Sequence, residues 1–233
     1  MSLYAWLMLA SFSGPFLLSF DKQVAFYKQW LPLFAGILVN GILFILWDGW
    51  FARTGVWGFN RDYVGSIFIN DLPLEEWSFF FVVPYASVFI YACLKHYIKK
   101  EPFANSKHHI TLAFVVLTFL LALFNTEKTY TFYNCLIASV TLLIQYLFFK
   151  SKWMGYFWLA YLVHLIPFLI VNGILTGSFT PQPVVWYNEA KILGPRIFTI
   201  PIEDTIYALT CLLIPTGIME WLMQKQQVKT ANK

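Results

Sequence analysis

The chain carries one acidic phrase twice, each time where a polar stretch runs into a long apolar one: Pro73-Leu74-Glu75-Glu76 and Pro201-Ile202-Glu203-Asp204. The phrases continue as Trp77-Ser78-Phe79-Phe80-Phe81 and Thr205-Ile206-Tyr207-Ala208-Leu209. Paired carboxylates at the edge of a hydrocarbon-like interior suit the movement of protons onto and off apolar molecules. A proline at the first helical position followed by acids is also an ordinary helix start, because both suit a helix N-terminus. Repetition favours chemistry over capping, since a charged acid near the bilayer centre costs roughly 2.5–3.5 kcal/mol. Neighbours on a helix point about 100° apart, so the two acids of a pair face different ways. The Glu75 stripe runs through Ser78, Phe79, Val82 and Ala86, and the Glu203 stripe through Ile206, Tyr207, Thr210 and Gly217. Small and polar residues mark buried helix contacts in membranes, so Glu75 and Glu203 are expected to point inward. Acids that face each other share a proton, leaving one a donor and the other an acceptor.

The elements that must position these acids are membrane helices. The chain of 233 residues is 59% hydrophobic and 12% charged, against roughly 25% charged in soluble domains. Seven apolar segments, at about 3–20, 31–51, 76–94, 109–125, 130–149, 155–175 and 202–223, approach the ~20 residues of a span. The first has no basic leader or cleavage site and reads as a retained span. The fold class expected is an all-α membrane protein of seven transmembrane helices. Lys22, Lys28, Lys95, Lys99, Lys100, Lys107, Lys150, Lys152, Lys225, Lys229 and Lys233 fall on one side, and Arg53, Arg61, Lys128, Lys191 and Arg196 on the other. That asymmetry places the N-terminus outside the cell membrane and the C-terminus in the cytoplasm. The net charge of +4 belongs to these connections, and no basic block offers a nucleic-acid surface. Cys93, Cys135 and Cys211 lie inside apolar segments without metal-ligand spacing and read as buried small hydrophobes.

Val39-Asn40-Gly41-Ile42-Leu43 recurs as Val171-Asn172-Gly173-Ile174-Leu175, 132 residues on, and the acidic phrases are 128 apart (201 − 73). Between them Val56-Trp57-Gly58-Phe59-Asn60 is loosely echoed by Val185-Trp186-Tyr187-Asn188. Landmarks in one order at similar offsets indicate duplication. The expected units are 1–98 with three spans, a connector at 99–129 with the fourth, and 130–233 with three more. An odd number of spans between counterparts makes the units parallel, so a two-fold axis along the membrane normal brings both acidic phrases to one midline.

Trp47-Asp48, Gly55-Val56-Trp57-Gly58-Phe59, Pro73-Leu74-Glu75-Glu76 and Phe79-Phe80, taken in order, resemble the lycopene cyclase domain of integral-membrane type. This type occurs as paired small subunits in some bacteria and fused in archaea and fungi. Trp186 and Pro201-Ile202-Glu203-Asp204 look like the partner domain, although the second half has no clear counterpart of Trp47-Asp48. The resemblance implies a fused cyclase that needs no obligate protein partner and acts on lycopene entering from the bilayer lipids. It implies redox-neutral closure to β-carotene by way of the one-ring γ-carotene. C2 of the terminal C1=C2 bond is protonated, C5=C6 attacks the cation at C1, and C6 loses a proton. Glu75, Glu76, Glu203 and Asp204 are the implied acids and bases, with Glu75 and Glu203 favoured. No cofactor and no metal is expected, and the chain has no GxGxxG fingerprint.

Among the aromatic fifth of the chain, Trp47, Trp57, Phe79, Phe80, Trp186 and Tyr207 are candidates to line the substrate site and stabilise a carbocation. Interfacial anchoring is the competing role for each. Asp48 either pairs with Arg53 or orients a catalytic acid. Asn40 and Asn172 are expected to bond between helices, and His164 is the one histidine expected well inside a span. The connection 176–200 either covers the site or crosses the surface. A retinal-binding photoreceptor needs a lysine in the last span, and 202–223 has none. A small-solute or proton transporter is the alternative from another class, and a cyclase for another carotenoid the alternative within this one.

Overall fold

The computed structural model describes residues 1–147, 149 and 153–231, with side chains to 228. Lys150, Lys152, Lys233 and the side chain of Lys229, all used in the charge comparison, lie outside that set. The helices are α1 (Leu3–Leu18), α2 (Trp30–Arg53), α3 (Leu74–Tyr97), α4 (Lys107–Leu123), α5 (Thr129–Leu147), α6 (Met154–Leu175) and α7 (Glu203–Ala231). Each falls on an apolar segment read from the sequence. Five are long and apolar enough to cross a membrane, namely α2 with the short turn before it, α3, α5, α6 and α7. The other two, α1 and α4, are apolar but shorter; at 1.5 Å per residue they fall a few Å short of a ~30 Å hydrocarbon core. Leu31, Leu38, Ile42, Leu46, Leu117, Ile166 and Ile170 are exposed on these helices, as suits surfaces facing lipid.

Local chemistry sets the helix ends. Ser2 caps α1, its hydroxyl accepting from the Ala5 amide at 3.1 Å. Both α2 and α6 end on a threonine followed by a glycine at positive φ, Thr54-Gly55 (φ 67°) and Thr176-Gly177 (φ 103°), a backbone state glycine enters without penalty. Prolines inside α1, α3, α6 and α7 (Pro15, Pro84, Pro167, Pro215) each remove a helical hydrogen bond.

The connections contain structure that a purely helical reading did not anticipate. Three two-stranded antiparallel ribbons form among the described residues. Strands β2 (Phe68–Ile69) and β3 (Leu72–Pro73) make a hairpin that opens into α3, with Asn70 and Asp71 both at positive φ in its turn. Strands β5 (Arg196–Ile197) and β6 (Ile200–Pro201) make another that leads into α7. The offset between the hairpins is 128 (196 − 68 and 201 − 73). Strands β1 (Trp57–Phe59) and β4 (Val185–Tyr187) share that offset (185 − 57) and pair with each other. Their register, Trp57 with Tyr187, Gly58 with Trp186 and Phe59 with Val185, is symmetric about Gly58 and Trp186. The Val-Asn-Gly-Ile-Leu string does not share this correspondence. Asn40 lies 13 residues before the end of α2 (53 − 40) and Asn172 three before the end of α6 (175 − 172). Their identity marks different depths.

α1 packs on α3, α5 on α7 and α4 on α5, while α2 packs on α7 and α3 on α6. The N-terminus, all three ribbons and both acidic phrases gather at one end of the bundle. At the other end Lys95 and Tyr91 both bond to Glu220, the tyrosine at 2.7 Å, and Glu101 takes Lys107 at 2.9 Å and the Gly155 amide at 3.1 Å.

Candidate active site

α3 and α7 bring their first turns together with all four acids buried, where the helix N-termini favour negative charge. The pairs divide their labour in the same way. Glu75 accepts from the Ser2 hydroxyl and, at 2.8 Å, from the Gly65 amide. Glu203 accepts from the Thr131 hydroxyl at 2.6 Å and the Leu193 amide at 2.5 Å. Each is therefore tied to the start of a neighbouring helix, Ser2 capping α1 or Thr131 in α5, and to an amide of the loops above. Neither lines the cavity between the helices, contrary to the expectation that they point inward. The cause is the 100° step between neighbours: the loops claim the first acid of each pair, which rotates the second into the bundle.

Glu76 and Asp204 line a small cavity of about 40 Å³ together with Asp48, Tyr4, Tyr130, Tyr187, Tyr207, Asn172, Trp57, Phe59, Phe79 and Phe168. Tyr4 donates to Glu76 at 2.6 Å and Tyr130 to Asp204 at 2.6 Å. Asp204 also receives Asn172 Nδ2 at 2.7 Å and Tyr187 Oη at 3.0 Å. Asp48 receives Tyr207 at 3.1 Å and is hydrogen-bonded to Glu76. Arg53 pairs with Asp71 at 3.4 Å, so of its two expected roles Asp48 takes the one beside an acid. Tyr187, in the covering loop, is pushed well above the ordinary phenol range by burial first and by the neighbouring Asp204 second. It stays a hydrogen-bond donor.

The aromatic candidates separate. Trp57, Phe79 and Tyr207 line the cavity. Trp47 and Phe80 stand behind it, Trp47 against Tyr207 at 5.4 Å and Phe80 against Phe44 at 5.8 Å. Trp186 is 43% exposed and lies over Gly58, where any side chain would overlap its ring. It sits outside the cavity because alternate residues of β4 face opposite ways, and Val185 and Tyr187 take the inner face. The connection 176–200 thus covers the site. Tyr4 and Tyr130 were not read as site residues, yet each is the second residue of its helix, α1 and α5. That matched placement was the available signal.

Beside the polar cavity runs a groove of about 440 Å³ between α1, α3 and α6, lined by Leu7, Ala10, Val83, Ala86, Ile90 and Ile174 among others. Phe79, Phe168 and Asn172 border both spaces. Apolar groove and acid cavity are thus neighbours that share these three side chains.

Fold and site together define a helical membrane protein that buries carboxylic acids beside an apolar groove. The lycopene cyclase family model matches residues 1–94 and 127–222, and the chain belongs to that family. It is accordingly an enzyme of carotenoid cyclisation. No curated protein and no solved structure matches the chain.

Proposed function

We propose that the protein is a lycopene β-cyclase that closes the ends of lycopene to β-rings by way of γ-carotene, giving β-carotene. The observation that carries this reading is the apolar groove that adjoins a cavity holding Asp48, Glu76 and Asp204 and shares Phe79, Phe168 and Asn172 with it. A polyene end reaches these acids without its chain leaving an apolar surface. The Asp48–Glu76 pair supplies the proton to C2. The C5=C6 bond then attacks C1 and forms the C1–C6 bond. Asp204 accepts three side-chain donors, which fits it to take the proton released from C6. One proton enters and one leaves, so the product is an isomer of the substrate. Trp57, Phe79 and Tyr207 line the cavity, where a cation within ~6 Å of a ring face gains from its quadrupole. Glu75 and Glu203 hold the loops over the site and act as positioning residues.

The architecture proposed with this chemistry is seven spans, built from units 1–98 and 130–233 around a connector at 99–129. The shared 128-residue offset of the ribbons and the symmetric β1–β4 register support it. The acid end faces outward and the C-terminus the cytoplasm. Expression in cells that accumulate lycopene, with chromatography of the pigments, tests the reading. β-Carotene is the expected product; a different ring isomer or unchanged lycopene, with the protein present in the membrane, overturns it.

A further inference from the structure

The two halves of the molecule offer unequal routes to the acids. Ser87 on α3 and Pro215 on α7 stand at the same depth, each 12 residues beyond the first acid of its pair (87 − 75 and 215 − 203). Pro215 meets Gly36 of α2 so closely that a Cβ on Gly36 would lie 2.7 Å from the Pro215 carbonyl oxygen and 2.9 Å from its Cα. The α2 and α7 backbones touch there. Slightly deeper, a Cβ on Gly217 would overlap the Gln145 side chain of α5, so α5 and α7 are closed as well. At the corresponding level of the other half, α6 presents His164 rather than glycine. Ser87 gives its hydroxyl proton to the Val83 carbonyl at 2.6 Å, so its oxygen accepts from His164 Nδ1 at 3.0 Å. An imidazole and a hydroxyl therefore stand between α6 and α3 where bare backbones meet between α2 and α7. The 440 Å³ groove opens at this point, and both residues line it. Its volume lies within the roughly 300–1,000 Å³ of sites for a single small molecule. His164 precedes Asn172 by eight residues, or about 12 Å of helix, so the groove follows a chain leading away from the acids.

From this asymmetry we infer that the enzyme binds one linear polyene at a time, through the groove between α1, α3 and α6, and cyclises the two ends of a symmetrical substrate in separate binding events. The first ring closes, the one-ring product leaves, and its open end must enter by the same groove. The inference rests on the proposed function for its substrate, but its first test does not require turnover.

Carotenoid retained by the purified full-length protein, lycopene and its cyclised products together, is counted per chain, for the unaltered protein and for Ala86→Trp, which fills the groove away from the acids. One carotenoid molecule per chain, reduced at least tenfold by Ala86→Trp, is expected. Two per chain, or full retention in a folded Ala86→Trp protein, overturns the inference. Carotenoid bound one per chain but recovered wholly as lycopene would instead overturn the proposed function and leave the groove standing. An isotope chase on the unaltered enzyme is independent of any variant. Labelled lycopene is turned over in the presence of excess unlabelled one-ring carotenoid. Separate binding events dilute the label in the two-ring product in proportion to the excess; undiluted label in that product overturns the inference.

Discussion

At the residue scale the site distinguishes two kinds of carboxylate that are adjacent in sequence. Glu76 and Asp204 reach the cavity, whereas Glu75 and Glu203 are bonded to the Gly65 and Leu193 amides of the covering loops. Glu76→Gln and Asp204→Asn should each lower the initial rate of ring formation about 10²–10⁴-fold, the range for loss of a general acid or base. Glu75→Gln and Glu203→Gln should retain measurable cyclisation while losing roughly 1–3 kcal/mol of stability, because each weakens a buried hydrogen-bonded anchor. Pigment assays on membranes and thermal melts of the purified variants separate these outcomes. If the Glu75 and Glu203 variants were the inactive ones, the roles would be reversed. Tyr130→Phe removes one of three donors to Asp204 and should cost about tenfold in rate, from a charge-assisted bond of roughly 1.5–3 kcal/mol. The pairing of acids was legible in the sequence, but their direction was not. A helical step fixes the angle between neighbours, and only the loop amides decide which of the two turns inward.

At the element scale the covering loops are held by a two-stranded contact whose centre is Gly58 opposite Trp186. No side chain fits at Gly58 beneath the Trp186 ring. Gly58→Leu should part β1 from β4, draw Tyr187 away from Asp204 and lower both melting temperature and rate; Trp186→Ala in the same chain should restore part of each by removing the obstructing ring. A Gly58→Leu protein with unchanged activity would show that the ribbon does not shape the site. All seven helices were legible, because long apolar runs specify them by composition. The ribbons were not, since strands of two or three residues are too short to show an alternating pattern. The repeated Val-Asn-Gly-Ile-Leu string misled for a related reason. The connection after α6 runs from 176 to 184 before β4, and that after α2 only from 54 to 56 before β1, so equal sequence spacing does not mean equal depth.

At the scale of the whole molecule the acids, the N-terminus and all three ribbons share one end, and the Lys95–Glu220 and Lys107–Glu101 pairs hold the other. In the proposed orientation the lysine-rich second end faces the cytoplasm, so polyene ends should reach the acids from the outer leaflet. A membrane-impermeant thiol reagent on intact cells tests this orientation. Asp62 and Lys100 are exposed at opposite ends, while the native Cys135 and Cys211 are buried and Cys93 is half-buried inside α3. Asp62→Cys should label in intact cells, and Lys100→Cys only after the membrane is opened. The reverse pattern would put the acid cavity at the cytoplasmic face and move substrate entry to the inner leaflet. Labelling of both sites in intact cells would mean that the chain between them crosses the membrane differently. That chain is α3, the helix that carries Glu76 and one wall of the groove, so its direction fixes the side from which the acids are reached.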